Sequence, residues 1–358
     1  MANWIRNFDV PVSRPALIPS RPSFMKSFLA SEGDNDPTKQ AKLEKQMSFG
    51  YRSAIGELIY ALVTCRPDLS YAVVRGEQNS ARPHGIHFHG VKHILKYLYL
   101  TRDDGLYFWR AEPNEDLLQI DLPKIKSTAH DLLLDSCPIY GPKDLHGYVD
   151  LDWAACPKTR RSLTGGAVRL AGGSVGYKTK LQPTIAQSLT EAEFMGASDF
   201  GKGILYCRSI LWDLGVPQDA ATLLYEDNDA CTAMANAQKP TTRTRHMDIK
   251  YNVLCEWVER DLIKLERVDT FLNMANHFTK QLGLTLFNLH VDYLLGHVPL
   301  KYSACFKRIY EMTYSGVTKQ PIPPRITPRP PLAVTSHSAA AAAAKLFATW
   351  SQVVSILG

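Results

Sequence analysis

Four acidic side chains in the middle of the chain, Asp150, Asp152, Glu193 and Asp227, offer this sequence its clearest route to chemistry. Carboxylates are hard oxygen donors, and several meeting at one point favour Mg²⁺ or Mn²⁺. Two such ions about 3.5–4 Å apart can hold the attacking and leaving oxygens of an in-line phosphodiester displacement. Lys158, Arg160 and Arg161 follow Asp152 closely, and Arg243, Arg245 and His246 form a second basic group. Both groups suit phosphate contacts that position a duplex by its backbone without reading sequence, and His246 could also move a proton or assist product release. Each acid also has a plainer reading. Asp150 and Asp152 fit the solvent face of an amphipathic strand. Glu193 fits a capping box opened by Thr190, and Asp227–Asn228 fits a turn or helix cap. His84, His87, His89 and His93 cluster without a carboxylate or Cys at zinc spacing, so they are expected to decorate a helix entry.

The elements that must carry these residues follow from periodicity. LHGYVDLDWAAC alternates, with Val149, Leu151 and Trp153 on one side and Asp150 and Asp152 on the other. TGGAVRLAGG and SVGYKTK read as two further strands around a Gly-Gly turn. A long helix spans about Thr190 to Leu214, ATLLYED is a buried strand, and NDACTAMANA is a short helix. HMDIKYNVLCEWVERD is another helix, LIKLERVD a fifth strand and NMANHFTKQL a closing helix. The expected fold is therefore α/β, a five-stranded mixed sheet flanked by helices. Upstream, GYRSAIGELIYALV and GVKHILKYLYL carry helical apolar stripes, Arg66–Pro67–Asp68 breaks between them with Asp68 free to cap the next segment, and LYFWR reads as a short strand. The chain divides into an unstructured lead-in (1–46), a small, mostly helical connector (47–110), a proline-broken linker (111–143), the α/β unit (144–298) and a basic, Pro- and Ala-rich tail (299–358).

Composition narrows the function classes. The 358 residues are 45% hydrophobic and 21% charged, which excludes a wholly disordered chain. The seven cysteines include no C-x-x-C pair, favouring a reducing compartment over a zinc module or disulfide framework. Net charge is +6, but residues 301–358 hold seven of the 41 basic and one of the 35 acidic side chains; the preceding 300 residues keep 34 of each. Any nucleic-acid surface on that neutral body is a local patch. Met1–Val10 does not read as a secretory signal, and no stretch reads as a membrane span.

The motifs GYVDLDWAAC…RRSLTGG, SLTEAEF, YEDNDA, TRTRHMDIKY and ANHFTKQL, in this order and spacing, resemble the ribonuclease H domain of copia-type (Ty/copia) retrotransposon Pol polyproteins. YRSAIGELIYALVTCRPDLSYAV and HILKYLYLTRDDGL are similar to the stretch joining that family's reverse transcriptase to its ribonuclease H, so the resemblance runs from about Gly50 to Gly296. It implies a C-terminal fragment with a ribonuclease H-like fold that hydrolyses the RNA of RNA–DNA hybrids using a pair of Mg²⁺ or Mn²⁺ ions. Asp150, Glu193 and Asp227 match the family's metal-binding catalytic carboxylates, with Asp152 secondary. The fourth carboxylate belongs where this chain has Asn276, which keeps a carbonyl oxygen but no charge. The second ion is expected to bind poorly and activity to be impaired. A non-catalytic remnant that still binds nucleic acid is the alternative. The resemblance further implies integrase and reverse transcriptase segments beyond this chain as partners, no membrane, and a cytoplasmic or nuclear setting, within a virus-like particle for an active element. Polymerase activity is not expected, because Tyr148–Val149–Asp150 lacks the adjacent aspartate of a polymerase turn.

Overall fold

Alternating apolar residues build the centre of the molecule. The computed structural model describes residues 16–109, 143–236 and 248–297, of which 248–251 are described by backbone alone. Strands β1 (His146–Asp152), β2 (Leu163–Leu170), β3 (Gly173–Leu181), β4 (Thr222–Glu226) and β5 (Ile263–Arg267) form one sheet in the order β3-β2-β1-β4-β5. The first three pair antiparallel; β1–β4 and β4–β5 are parallel. The crossover from β3 to β4 is a 25-residue helix, Leu189–Asp213. This mixed sheet with flanking helices is a ribonuclease H-like α/β fold, as the sequence led one to expect.

Ten α-helices lie among the described residues. Helices α1 (Pro22–Ala30), α2 (Pro37–Met47), α3 (Tyr51–Cys65), α4 (Ser70–Glu77) and α5 (Gly85–Leu100) precede the sheet. Helices α6 (Leu189–Asp213), α7 (Asp229–Asn236), α8 (Asp248–Glu259), α9 (Asn276–Thr279) and α10 (Leu284–Leu294) follow its strands. Val149, Val168, Leu224 and Leu265 pack against Phe194, Ala197, Ile204 and Leu211 of α6, with Cys231 and Ala235 of α7 and Leu254 of α8. From the other face, Tyr148, Ala167, Tyr177 and Tyr225 meet α3, α5, α9 and α10 in a second core. Each fully buried Phe or Leu there contributes roughly 1.5–3 kcal/mol relative to exposure. The helices of 51–100 thus bury their stripes against the sheet, and the Tyr177 hydroxyl donates to the Leu62 carbonyl at 2.6 Å.

Four expectations need correction. The described part of the lead-in is not unstructured. Pro22 starts α1, whose Met25 and Phe28 are buried, and the Asp36 carboxylate accepts from the Thr38 N–H to cap α2. Residues 106–109 of LYFWR form no strand, because the Tyr107 and Trp109 N–H groups donate to the Leu295 and Ala171 carbonyls of turns. Asp68 does not cap α4; it accepts two hydrogen bonds from the buried Arg66 guanidinium, at 2.9 and 2.6 Å, and one from Tyr97 at 2.8 Å. The closing helix is the four-residue α9, and the 11-residue α10 follows it after Gly283. The linker over 111–142, residues 1–15, and the tail from 298 lie outside the described residues.

Candidate functional site

Strand alternation decides which way each β1 acid points. Asp150 shares the Tyr148 side of β1 and is 1% exposed, packed beneath α9. That approach depends on Gly165, the residue paired with Asp150 across β1–β2: a Cβ there would sit 2.4 Å from the Phe278 Cβ. Asn273 fixes the segment leading into α9, its side-chain amide donating to the Val149 carbonyl at 3.0 Å and its carbonyl accepting from the Ala275 N–H at 3.1 Å. So held, the Thr279 hydroxyl donates to Asp150 Oδ2, and Lys280 Nζ donates to Asp150 Oδ1 at 3.0 Å and Asn276 Oδ1 at 2.8 Å. Asn276 in turn donates through Nδ2 to the Thr270 carbonyl at 2.6 Å. The amide oxygen expected to face a bound cation faces the chain's own ammonium.

Glu193 comes from the α6 side. The cap at that helix start is Ser188, whose hydroxyl accepts from the Glu191 N–H at 3.1 Å, while Glu191 accepts from the Gln187 N–H at 2.7 Å. Ser188 and Glu191 therefore do the work suggested for Thr190 and Glu193, and Glu193 turns inward at 4% exposure. Gln182 ties this turn to the sheet by donating to Thr164 Oγ1 at 2.8 Å and the Ala192 carbonyl at 2.9 Å. At the end of β4 a similar division holds. Asn228 Oδ1 accepts from the Cys231 N–H at 3.0 Å and caps α7, leaving Asp227 facing Glu193.

The structure adds an acid that sequence reasoning passed over. Glu226 is fully buried, and one carboxylate oxygen each from Glu193, Glu226 and Asp227 lies within 4.8 Å of the other two. Its Oε1 accepts from the Asp227 and Asn228 N–H groups at 3.1 and 3.2 Å, while its Oε2, like that of Glu193, is buried without a hydrogen-bond partner. The available signal was a carboxylate at the Leu224 side of a buried strand, where a polar residue is costly unless paired or ligated. Lys280, four residues beyond Asn276, is a further site residue to which the sequence reading assigns no role.

Electrostatics follow from this crowding. Burial and the Asp227 charge outweigh Lys280 and Thr279 to push Asp150 up to about 6. Burial, then the Asp150 and Asp227 charges, push Glu193 up to about 9. Burial together with Glu193, Asp150 and Asp227 holds Glu226 well above the ordinary carboxylate range. Burial pulls Lys280 down, but Asp150, Asp227 and Glu193 leave it above its usual value. Crowded hard oxygens that hold protons in place of a cation, with two buried lone-pair sites that no N–H or hydroxyl satisfies, fit a Mg²⁺ or Mn²⁺ ion, which would displace those protons. Glu193, Glu226 and Asp227 are the residues placed to hold it, with Asp150 adjoining.

Asp152 stands apart, half-buried, 3.8 Å from the Arg75 guanidinium. Lys158 pairs with Glu32 at 2.8 Å, and Arg160 and Arg161 are exposed on the loop after β1. Arg243, Arg245 and His246 lie outside the described residues. Three of the four clustered histidines are structural: His84 caps α5, His87 accepts at Nδ1 from the His84 N–H and contacts the Phe28 carbonyl through Nε2, and His93 contacts the Ile18 carbonyl, while His89 is exposed on α5.

Fold and acidic cluster together define a ribonuclease H-like α/β protein. Over 253 residues, 71% of its length, the chain is 29% identical to the retrovirus-related Pol polyprotein from transposon TNT 1-94 of Nicotiana tabacum. Over 275 residues, 77% of its length, it is 26% identical to that from transposon RE1 of Arabidopsis thaliana. It spans 17% and 16% of those two relatives. It is also 34% identical over 149 residues to secreted RxLR effector protein 161 of Plasmopara viticola, covering 84% of that protein and 42% of this chain. No family model matches, and no solved structure matches. These similarities support a fragment of a copia-type retrotransposon Pol polyprotein.

Proposed function

We propose that this fragment is a ribonuclease H that hydrolyses the RNA strand of RNA–DNA hybrids, its rate depressed by Asn276. The observation that carries the reading is the approach of Glu193 from α6 to Glu226 and Asp227 at the end of β4, beside Asp150 of the neighbouring strand. Glu193, Glu226 and Asp227 would hold a divalent ion, whose chemistry there would be to activate a water and to offset charge at the scissile phosphate. The protein's share is to fix the acids: Ser188 and Gln182 set Glu193, Asn228 frees Asp227, and Asn273 and Gly165 seat α9 on Asp150. Exposed Arg160 and Arg161, at the same end of β1, suit contacts to the hybrid's phosphates. The deficit sits at α9, where Asn276 contributes no charge and Lys280 already neutralises Asp150.

The test is cleavage of a labelled hybrid in Mg²⁺ and in Mn²⁺ by the wild-type chain and Asn276→Asp. We expect weak cleavage by the wild type, abolished by Asp227→Asn, and at least a tenfold gain in Asn276→Asp. Full-rate cleavage by wild type with no gain on substitution would overturn the role given to position 276. Binding of hybrid with no cleavage by either protein would favour a non-catalytic remnant, the reading that the Lys280 contacts support.

A further inference from the structure

Every carboxylate in the cluster has a different set of partners, and that difference divides the site in two. Asp150 is satisfied within the chain, since Thr279 donates to one of its oxygens and Lys280 to the other. Lys280 also bridges to Asn276 Oδ1, so its ammonium stands between β1 and α9, where a cation would join the residues at 150 and 276. On the other side, Glu193 Oε2 and Glu226 Oε2 accept from no N–H or hydroxyl group of the chain, and the two carboxyl groups contact each other. Both side chains are more than nine-tenths buried, with an oxygen of each within 4.8 Å of an Asp227 oxygen. Two orphaned, buried acceptors are costly in an apolar surrounding. A hard cation satisfies both at once, and oxygen donors from two carboxylates and a third at its rim match the preference of Mg²⁺ or Mn²⁺.

We infer that the chain holds a single divalent ion on Glu193, Glu226 and Asp227, with Glu226 as a ligand and the Lys280 ammonium standing in for the second ion at Asp150. The inference deepens the reading of this cluster as an ion site. It explains how a site that lacks a carboxylate at 276 keeps enough negative charge for one ion, because Glu226 supplies what Asn276 does not. Glu226 is positioned for this by the backbone of its own strand end. The Asp227 and Asn228 N–H groups hold Oε1 and leave Oε2 directed to the site. Lys280, by contrast, meets the framework through its backbone N–H, which donates to the Asn276 carbonyl at 2.9 Å and survives any side-chain change; its side chain is 39% exposed, so substituting it leaves the strand and helix framework in place.

Mn²⁺ titration of the whole chain, without nucleic acid and followed by electron paramagnetic resonance of the free ion, tests this. One Mn²⁺ per wild-type chain is expected. Glu226→Gln keeps the Oε1 acceptor and the shape, and should weaken that ion at least tenfold with an unchanged circular dichroism spectrum. Lys280→Met should raise the count to two. Two ions on wild type, none on wild type, or an unaltered affinity in Glu226→Gln would each overturn the inference; so would a count of one in Lys280→Met. If Glu226→Gln fails to fold, the counts for wild type and Lys280→Met decide alone. Mn²⁺ bound through Glu226 in a chain that cuts no hybrid would defeat the nuclease reading and leave this one standing. Hybrid cleavage with Mn²⁺ affinity indifferent to Glu226 would do the reverse.

Discussion

Glu193 is the residue whose titration the fold alters in the most testable way. A carboxyl group near 4.3 in an unfolded chain is pushed to about 9 here by burial and by the Asp150 and Asp227 charges. The native state therefore holds a proton that the unfolded state has lost, and stability falls as pH rises between the two values. Asp150, raised to about 6, acts with the same sign over a shorter window. Buried His290, lowered to about 3, and His146, lowered well below its usual value, act oppositely, costing stability as pH drops below the ordinary imidazole range. Above about pH 7 Asp150 and both histidines have finished titrating, which leaves the Glu193–Glu226 pair, joined above about pH 8 by the buried Cys207 and Cys231 thiols, which burial raises and which act with the same sign. In chelator, the midpoint of thermal unfolding should fall from about pH 7 to about pH 9, and Glu193→Gln should flatten that slope. Parallel slopes for the two proteins would show that Glu193 ionises normally in the fold. The same residue shows what a sequence can hide. Glu193 and Asp227 were legible through their motifs, but their freedom from capping duty depends on Ser188 and Asn228 taking it over. Glu226 was not legible, because the motif beside it singles out the Asp-Asn pair and a carboxylate at a strand end is commonly solvated.

Elements, rather than residues, bring these groups within reach, and small side chains set the spacing. Gly165 lies directly across from Asp150, and a Cβ on it would meet Phe278 Cβ at 2.4 Å and Thr279 Cγ2 at 2.9 Å. Since the first clash is with the root of α9, it cannot be relieved by one rotamer change. Gly165→Ala should cost about 1–3 kcal/mol in urea denaturation and lift Thr279 and Lys280 from Asp150. Gly56, mid-helix in α3 with nothing within 4 Å of its virtual Cβ, is the control. There, Gly56→Ala should stabilise by about 0.5–1 kcal/mol. Equal effects of the two substitutions would show that α9 does not rest on β2. The sheet and α6 were readable because one face of each meets apolar residues in a regular period. Helix α10 was not, since Phe287 through Leu294 are all buried, Asn288, His290 and Asp292 among them. A helix enclosed on every side has no polar stripe to betray it, and the closing segment was read as ending at α9. Helix α1 escaped for another reason: it is nine residues long, and its buried Met25 and Phe28 make too short a stripe to register as a period.

At the scale of the whole molecule, the helices before the sheet are part of its core rather than an appendage. Leu58 and Leu62 of α3, Tyr97 and Leu98 of α5, Tyr148, Ala167 and Tyr177 of the sheet, and Phe278 and Phe287 of α9 and α10 belong to one continuous apolar cluster. Polar contacts cross the same boundary: Tyr177 donates to the Leu62 carbonyl, and Gln281 Nε2 donates to the Ser20 carbonyl at 2.6 Å. Removing residues 1–109 would therefore uncover the sheet face that carries Tyr148, Tyr177 and Tyr225, and with it α9 and its grip on Asp150. A surface of that kind is an aggregation liability in a monomer. The full chain should unfold in one urea transition, with far-ultraviolet circular dichroism and intrinsic fluorescence superimposable, as a shared core demands. A fragment starting at residue 143 should bind the dye ANS strongly, lose that cooperative transition and lose Mn²⁺ binding with it. A fragment that melts sharply, excludes the dye and keeps its ion would mean that the sheet and α6 suffice to set the site, and that the helices of 16–100 merely lie against a domain already complete.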